Sequence, residues 1–254
     1  MTPATARQTG RDAMSLLLLS NSATHGRPYL SHALQAIAAH LSGRTRLLFV
    51  PHALADHDGY TAAVAEAMRP IGVSVEGLHR HPDPASAVSS AEAVFVGGGN
   101  TFRLLRSLRR ARLLGPLHDR VRAGLTYLGS SAGTNVACPT IRTTNDMPIV
   151  DPGGFGALDL VPFQINPHYL DPDPGSTHQG ETRAQRLTEF CEENDVPVLA
   201  MREGAWVQVD GEVAALRGDT GGVLFRHGHQ PAPIAAGTDV SWLLAAVPRF
   251  TIRD

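Results

Sequence analysis

The stretch LTYLGSSAG, residues 125–133, joins a short apolar run to the pentapeptide Gly129-Ser130-Ser131-Ala132-Gly133. A strand that turns at once into a helix is the joint of a βαβ unit, and GxSxG at that joint is the pattern of a nucleophile elbow. Small residues flank the serine because the turn is tight, and the hydroxyl is then presented at the carboxyl end of the sheet. The helix that begins there aims unpaired N–H groups and the positive end of its dipole at the same spot. Ser130 offers a second hydroxyl, but the GxSxG frame selects Ser131. In a chain with 25 glycines the same pentapeptide also arises as a plain turn, so its place between strand and helix carries the reading.

Upstream the same alternation repeats. The apolar runs SLLLLS (15–20), RLLFVP (46–51), VSVEGL (73–78) and AVFV (93–96) read as strands. Amphipathic segments at 29–41, 60–68, 85–90, 101–110 and 117–122 read as helices. Leu30, Ala33, Leu34, Ile37 and Leu41 follow the i, i+3, i+4 spacing of a helix with one buried face. Strands alternating with helices predict an α/β fold, a three-layer α/β/α sandwich with a mostly parallel central sheet. Proline and glycine are frequent from 139 to 180, where loops are expected, and functional groups often sit on such loops. Within them the mostly apolar run 160–165 reads as a strand. A helix at 181–193 and a strand VPVLAM (196–201) follow. WVQVDGEVAALR (206–217) alternates around Asp210-Gly211 and predicts a C-terminal β-hairpin. No repeat or linker divides the chain, so residues 14–254 are expected to form one domain. The first thirteen, MTPATARQTGRDA, read as a disordered extension upstream of a start at Met14.

Twenty-two basic against 24 acidic residues leave a net charge of -2, with no electrostatic footprint for nucleic acid or an anionic membrane. Every basic residue is arginine, which removes lysine Schiff-base chemistry and the Walker lysine. No run approaches the roughly 18 apolar residues of a membrane helix. Cys138 and Cys191 lack CxxC spacing; they read as small buried residues of a protein in a reducing cytoplasm. No cofactor is implied, and a monomer and a homodimer both remain open.

A second glycine cluster, Val96-Gly97-Gly98-Gly99-Asn100-Thr101, also follows a strand and precedes a helix, which places it at the same sheet edge. Three readings stand: a phosphate cradle, half of an oxyanion hole completed by the N–H of Ala132, or a turn packed on the sheet. The cradle lacks both GxGxxG spacing and a Walker lysine. The oxyanion reading makes Gly98, Gly99 and Ala132 the candidate donors. A serine nucleophile needs a base, and His168 stands out among twelve histidines because Asn166-Pro167-His168-Tyr169 closes the run 160–165. His52, His57, His79, His81, His178, His227 and His229 lie in polar stretches and read as solvated surface residues. The pair His227-x-His229 lacks a third ligand nearby, so no metal is assigned.

Together these segments resemble the peptidase E family, α-aspartyl dipeptidases with the class I glutamine-amidotransferase-like fold. The resemblance runs in order through SLLLLSNS (15–22), FVGGGNTFRLL (95–105), GSSAGTNVACPTIRTTNDMPIVDP (129–152), QINPHY (164–169), GETRAQR (180–186) and REGAWVQV (202–209). It implies a serine peptidase that cleaves dipeptides and a few short peptides with an N-terminal aspartate. Ser131 is then the nucleophile and His168 its general base. Glu203 and Asp146 both match acidic positions of the family. Glu203 is expected to orient the imidazole because it closely follows a predicted strand. Asp146 is left to meet the substrate ammonium or to support its loop. Arg183 is expected to clamp the aspartate carboxylate in bidentate fashion, and Asn100 to donate from its amide near the substrate. Ser130 occupies a variable position, and the loop 170–179 diverges freely enough to act as a lid. The tail 238–254 and the first thirteen residues fall outside the resemblance.

Two other readings compete: a cyanophycinase-like hydrolase of β-Asp-Arg dipeptides, and a non-catalytic ligand-binding member of the fold. TTNDMP and GETR favour the dipeptidase, and the joint presence of Ser131, His168, Glu203 and Asp146 argues against lost chemistry. An amidotransferase or redox-sensing relative would place cysteine at the elbow, since a thiolate is the stronger nucleophile.

Overall fold

Four consecutive leucines make up most of the first strand, β1 (Ser15–Leu19), and all four are fully buried. Successive side chains of a strand point to opposite faces, so an unbroken apolar run is required only where both faces are covered. Leu16 and Leu18 enter one core and Leu17 and Leu19 the other. The computed structural model describes residues 14–252 apart from 174, 176, 178 and 179, so the expected N-terminal extension lies outside the described residues.

From β1 the chain continues through α1 (Leu34–Leu41), β2 (Arg46–Val50), α2 (His57–Met68), β3 (Ser74–Gly77), α3 (Pro84–Ser90) and β4 (Ala93–Val96). It then forms α4 (Thr101–Arg110), α5 (Leu114–Arg122), β5 (Thr126–Ser130) and α6 (Ala132–Ala137). After a long irregular stretch come β6 (Gln164–Asn166), α7 (Arg183–Glu193), β7 (Val198–Met201), β8 (Ala205–Asp210), β9 (Val213–Gly218), β10 (Gly222–Phe225) and β11 (Ala232–Ile234). Among the described residues one sheet has seven strands in the order β3-β2-β4-β5-β1-β8-β9. Its first five are parallel; β8 pairs antiparallel with β1, and β9 antiparallel with β8. Ile37 of α1 and Val64 of α2 cover one face, while Val88, Leu105, Val121 and Val136 of α3 to α6 cover the other. No described helix is long and apolar enough to cross a membrane.

The expected hairpin forms as β8 and β9, and β8 pairs along the whole of β1, so the hairpin extends the main sheet. The strands at 160–165 and 196–201 do not join that sheet; they appear as β6 and β7 in a second sheet ordered β11-β10-β7-β6. The reason is occupancy: β1 already has β5 on one side and β8 on the other. β6 is instead fastened to the loop after α6, with Gln164 Nε2 donating to Thr140 O at 2.9 Å and Thr143 Oγ1 to Ile165 O at 3.0 Å.

Helix boundaries follow local chemistry. α1 starts at Leu34 rather than 29 because Leu30 sits at φ 60°, outside the helical region. α2 starts three residues earlier than the periodicity suggests because the Asp56 carboxylate accepts the Gly59 N–H at 2.9 Å. The parallel strands β1, β2, β4 and β5 end at one edge. That edge gathers Ser20, His52, the glycine cluster and Ser131, where ligands of open α/β sheets commonly bind.

The expectation that His52, His57 and His79 are solvated is corrected. Their rings meet in series at steep angles, with centroids 5.1 Å apart for His52 and His57 and 5.4 Å for His57 and His79. His79 Nε2 lies 3.0 Å from Asp58 Oδ1, and His81 Nε2 lies 3.2 Å from Glu76 Oε1. His227 Nδ1 is bonded to the Cys191 carbonyl at 2.7 Å, and His178 lies outside the described residues. Burial, then the neighbouring imidazoles of His57 and His79, push His52 from 6.5 down to about 4. Between those values the unfolded chain binds the extra proton, so stability falls as pH drops from 6.5 towards 4. His52→Gln is expected to flatten the dependence of unfolding free energy on pH in that window, measured by urea denaturation; an unchanged slope would assign the acid sensitivity to other groups.

Candidate active site

Ser131 stands between β5 and α6 at φ 52°, ψ -108°, a conformation side chains rarely adopt. It is held there from several sides. Its N–H donates to Leu19 O at 3.1 Å, continuing the ladder of β1, and its carbonyl accepts from the N–H groups of Thr134 and Asn135, both at 2.9 Å. The glycines of the pentapeptide are a packing requirement. A Cβ on Gly133 would lie 1.9 Å from Val96 O, and one on Gly129 would lie 2.7 Å from Gly133 O. Only without those carbons does α6 come close enough to β4 and β5 to force the turn.

His168, just past β6, places Nε2 2.9 Å from Ser131 Oγ and Nδ1 2.7 Å from Glu203 Oε1. An ionised carboxylate only accepts hydrogen bonds, so the proton of a neutral imidazole lies on Nδ1. Nε2 is thereby left to accept from the serine hydroxyl. His168 is itself at φ 55°. Its N–H donates to Ser20 Oγ at 2.9 Å, and the preceding Pro167 carbonyl accepts from Asn145 Nδ2 at 2.7 Å. Asn166 Nδ2 donates to Thr143 O at 2.8 Å and to Asn145 Oδ1 at 3.0 Å, so the segment 143–145 grips the residues that lead into the histidine. The His168 and Glu203 side chains are 36% and 49% exposed, which opens one side of the line to an incoming molecule.

Asp146 does not face the imidazole. Its Oδ2 accepts from Thr101 N at 2.7 Å, Thr101 Oγ1 at 2.5 Å and Thr144 Oγ1 at 3.2 Å, a carboxylate at the N-terminus of α4. Asn100 caps the same helix, its Oδ1 accepting the Arg103 N–H at 3.0 Å, while its Nδ2 donates to Met147 O at 2.9 Å. The amide expected to meet substrate is thus used in this structure to hold the loop.

Gly98 packs directly on the serine, where a Cβ would lie 3.1 Å from Ser131 Cβ. Ala132 stands at the first position of α6, where no helical acceptor exists. Gly99 follows at φ 129°.

Arg183 opens α7, and its Nη1 is buried without a hydrogen-bond partner among the described residues. Burial, foremost, lowers its pKa, and the charge of Glu203 opposes that shift. A helix-surface arginine paired with Glu181 or Glu189 would be the plainer reading of Arg183, but neither ion pair forms among the described residues, and Glu181 faces Arg186 at 3.6 Å. A cavity of about 280 Å³ is lined by Leu170, Asp171, Glu181 and Arg183, at the base of the loop expected to act as a lid. Within that loop, residues 174, 176, 178 and 179 lie outside the described residues. A cavity of similar volume is lined by Arg46, Glu76 and Glu92, away from Ser131 and His168, so volume alone does not mark the site.

Sequence reasoning assigned no role to Ser20, Asn21, Asn145 or Asn166. The available signal was polar side chains directly after apolar strands, in SLLLLSNS and QIN.

The model of peptidase family S51 matches residues 16–217. A Streptomyces coelicolor protein described as "Peptidase E" is 59% identical over 231 residues, covering 91% of this chain and 95% of the relative. A Drosophila melanogaster protein described as "Probable alpha-aspartyl dipeptidase" is 52% identical over 236 residues, covering 91% and 98%. The crystal structure of a peptidase from an acI-B1 actinobacterium superposes with a TM-score of 0.66 at 15% identity, over 91% of this chain and 98% of that one, a likeness of fold.

The packing at the elbow yields a direct expectation. Gly133→Ala forces a carbon into the Val96 carbonyl and should lower unfolding free energy by about 3 kcal/mol, the upper range for overpacking; an unchanged denaturation midpoint would show that the close approach is not required.

Proposed function

The chain belongs to peptidase family S51, and from that premise we propose that it is a serine-type dipeptidase that hydrolyses Asp-Xaa through an acyl-enzyme on Ser131. The observation that carries this reading is the line from Ser131 Oγ through His168 to Glu203, at 2.9 and 2.7 Å. On this reading residues 14–254 act as one cytoplasmic catalytic domain with the class I glutamine-amidotransferase-like architecture, serine standing where thiol relatives carry cysteine.

His168 Nε2 takes the hydroxyl proton as Ser131 Oγ attacks the scissile carbonyl carbon, and Glu203 stabilises the imidazolium through Nδ1–H. The negative charge that develops on the carbonyl oxygen is met by backbone N–H groups of the candidate set Gly98, Gly99 and Ala132, with Gly98 also leaving room beside Ser131 by its lack of a side chain. Collapse of the intermediate breaks the C–N bond, and the imidazolium returns its proton to the departing amine. Water then attacks the ester by the same route in reverse, releasing aspartate and restoring the hydroxyl.

Aspartate at the first position presents an ammonium and a second carboxylate. Arg183 suits the carboxylate because a guanidinium with an unsatisfied buried donor gains most from a bidentate acceptor. Of the two roles considered for Asp146, its three hydrogen bonds favour support of the loop over contact with the ammonium.

The test compares hydrolysis of Asp-Leu, Leu-Leu, Glu-Leu and β-Asp-Leu by the wild type, Ser131→Ala and Arg183→Lys. Asp-Leu should be the substrate, with activity down by roughly 10⁴-fold or more in Ser131→Ala. Preference for Asp-Leu over Leu-Leu should fall by about tenfold or more in Arg183→Lys, which keeps the charge and loses the fork. Cleavage of β-Asp-Leu alone would move the assignment to a cyanophycinase-like hydrolase; no cleavage of any of them would support a ligand-binding member.

A further inference from the structure

β1 ends at Leu19, and the next two residues, Ser20 and Asn21, are polar yet fully buried. Buried polar groups persist where they are hydrogen-bonded, and the partners here share a destination. The Leu19 carbonyl accepts the Ser131 N–H at 3.1 Å. Ser20 Oγ accepts the His168 N–H at 2.9 Å and donates to Met201 O at 3.0 Å, two residues before Glu203. Asn21 Oδ1 accepts the N–H of Gly204, the residue after Glu203, at 2.8 Å. Asn21 Nδ2 fixes its own orientation by donating to Ala23 O at 2.8 Å and Thr24 Oγ1 at 3.1 Å. Three consecutive residues thus hold the main chain at or beside Ser131, His168 and Glu203.

This matters because the site spans two sheets. Ser131 follows a strand of the seven-stranded sheet, whereas His168 follows β6 of the small sheet, and among the described residues no strand pairing joins the two. The separation of Oγ and Nε2 is therefore not set by a β-ladder. We propose that Ser20, supported by Asn21, is a positioning residue: its hydroxyl fixes His168, held at φ 55°, at the distance and angle from Ser131 that proton transfer needs. The proposal rests on the reading of Ser131, His168 and Glu203 as the reacting triad. A misplacement of about 1 Å in such a site costs roughly 10²-fold in rate.

Ser20→Ala removes the acceptor without adding volume. The expected result is a fall in kcat for Asp-Leu of about 10- to 100-fold with KM changed less than about twofold. In a His168→Ala background the same substitution should cost nothing further, because the hydroxyl acts through the imidazole. An equal fractional loss in both backgrounds, or a wild-type kcat in Ser20→Ala, overturns the proposal. Should Ser20→Ala fail to fold, the near-isosteric Ser20→Cys, whose thiol is only a weak acceptor, keeps the question open to test: kcat should fall with KM little changed, and a wild-type kcat counts against the proposal. Full activity in Ser131→Ala or His168→Ala is a separate result that would bring down the triad itself.

Discussion

The Leu19 carbonyl is the point at which sheet and site are joined. It accepts from the Ser131 N–H at 3.1 Å and from Thr134 Oγ1 at 2.7 Å, so one oxygen at the end of β1 holds both the elbow and the first turn of α6. Ser131 could not persist at φ 52°, ψ -108° on local preference, since such conformations cost on the order of 1–3 kcal/mol. The cost is offset by burying β1 on both faces and by the missing Cβ atoms at Gly129 and Gly133, which let the helix press onto the strands. His168 is a second residue at positive φ, and it too is held by a buried side chain from the same end of β1. Strain at the two reacting residues is thus carried by one central strand.

How far the sequence discloses this depends on the range of the interaction. Four of the five parallel strands, β1, β2, β4 and β5, are legible because their apolar runs are short and continuous, as strands covered on both faces must be. The elbow is legible because a steric demand leaves its mark as glycine at two positions of a pentapeptide. The assignment of β6 and β7 to a second sheet is not legible, since it depends on β8 filling the place beside β1, a pairing between residues nearly two hundred positions apart. The histidines around His52 look solvated in sequence because their neighbours are polar. In three dimensions they bury one another, through contacts between β2, α2 and the turn after β3.

The candidate site divides the same way. Ser131 and His168 stand out by position, and Glu203 follows from its place after a strand, while the resemblance leaves Asp146 as an equal claimant. Geometry separates the two carboxylates by what each one faces: an imidazole 2.7 Å from Glu203, and the N-terminus of α4 for Asp146. The residues no motif marks, Ser20, Asn21, Asn145 and Asn166, act through the backbone of their partners. A side chain that bonds a peptide group places no demand on the partner's identity, so no complementary pair of residue types appears in the sequence.

The central claim is covalent: the elbow serine, and not its neighbour, becomes acylated. The most direct measurement is intact-protein and peptide mass spectrometry after acid quench during turnover of Asp-Leu, backed by labelling with a serine-directed fluorophosphonate. The account predicts one aspartyl or phosphonyl adduct, on Ser131, with Ser130 unmodified because its side chain is buried and its Oγ lacks any hydrogen-bonded base. An adduct on Ser130, or turnover of Asp-Leu with neither an acyl-enzyme nor labelling, would contradict it.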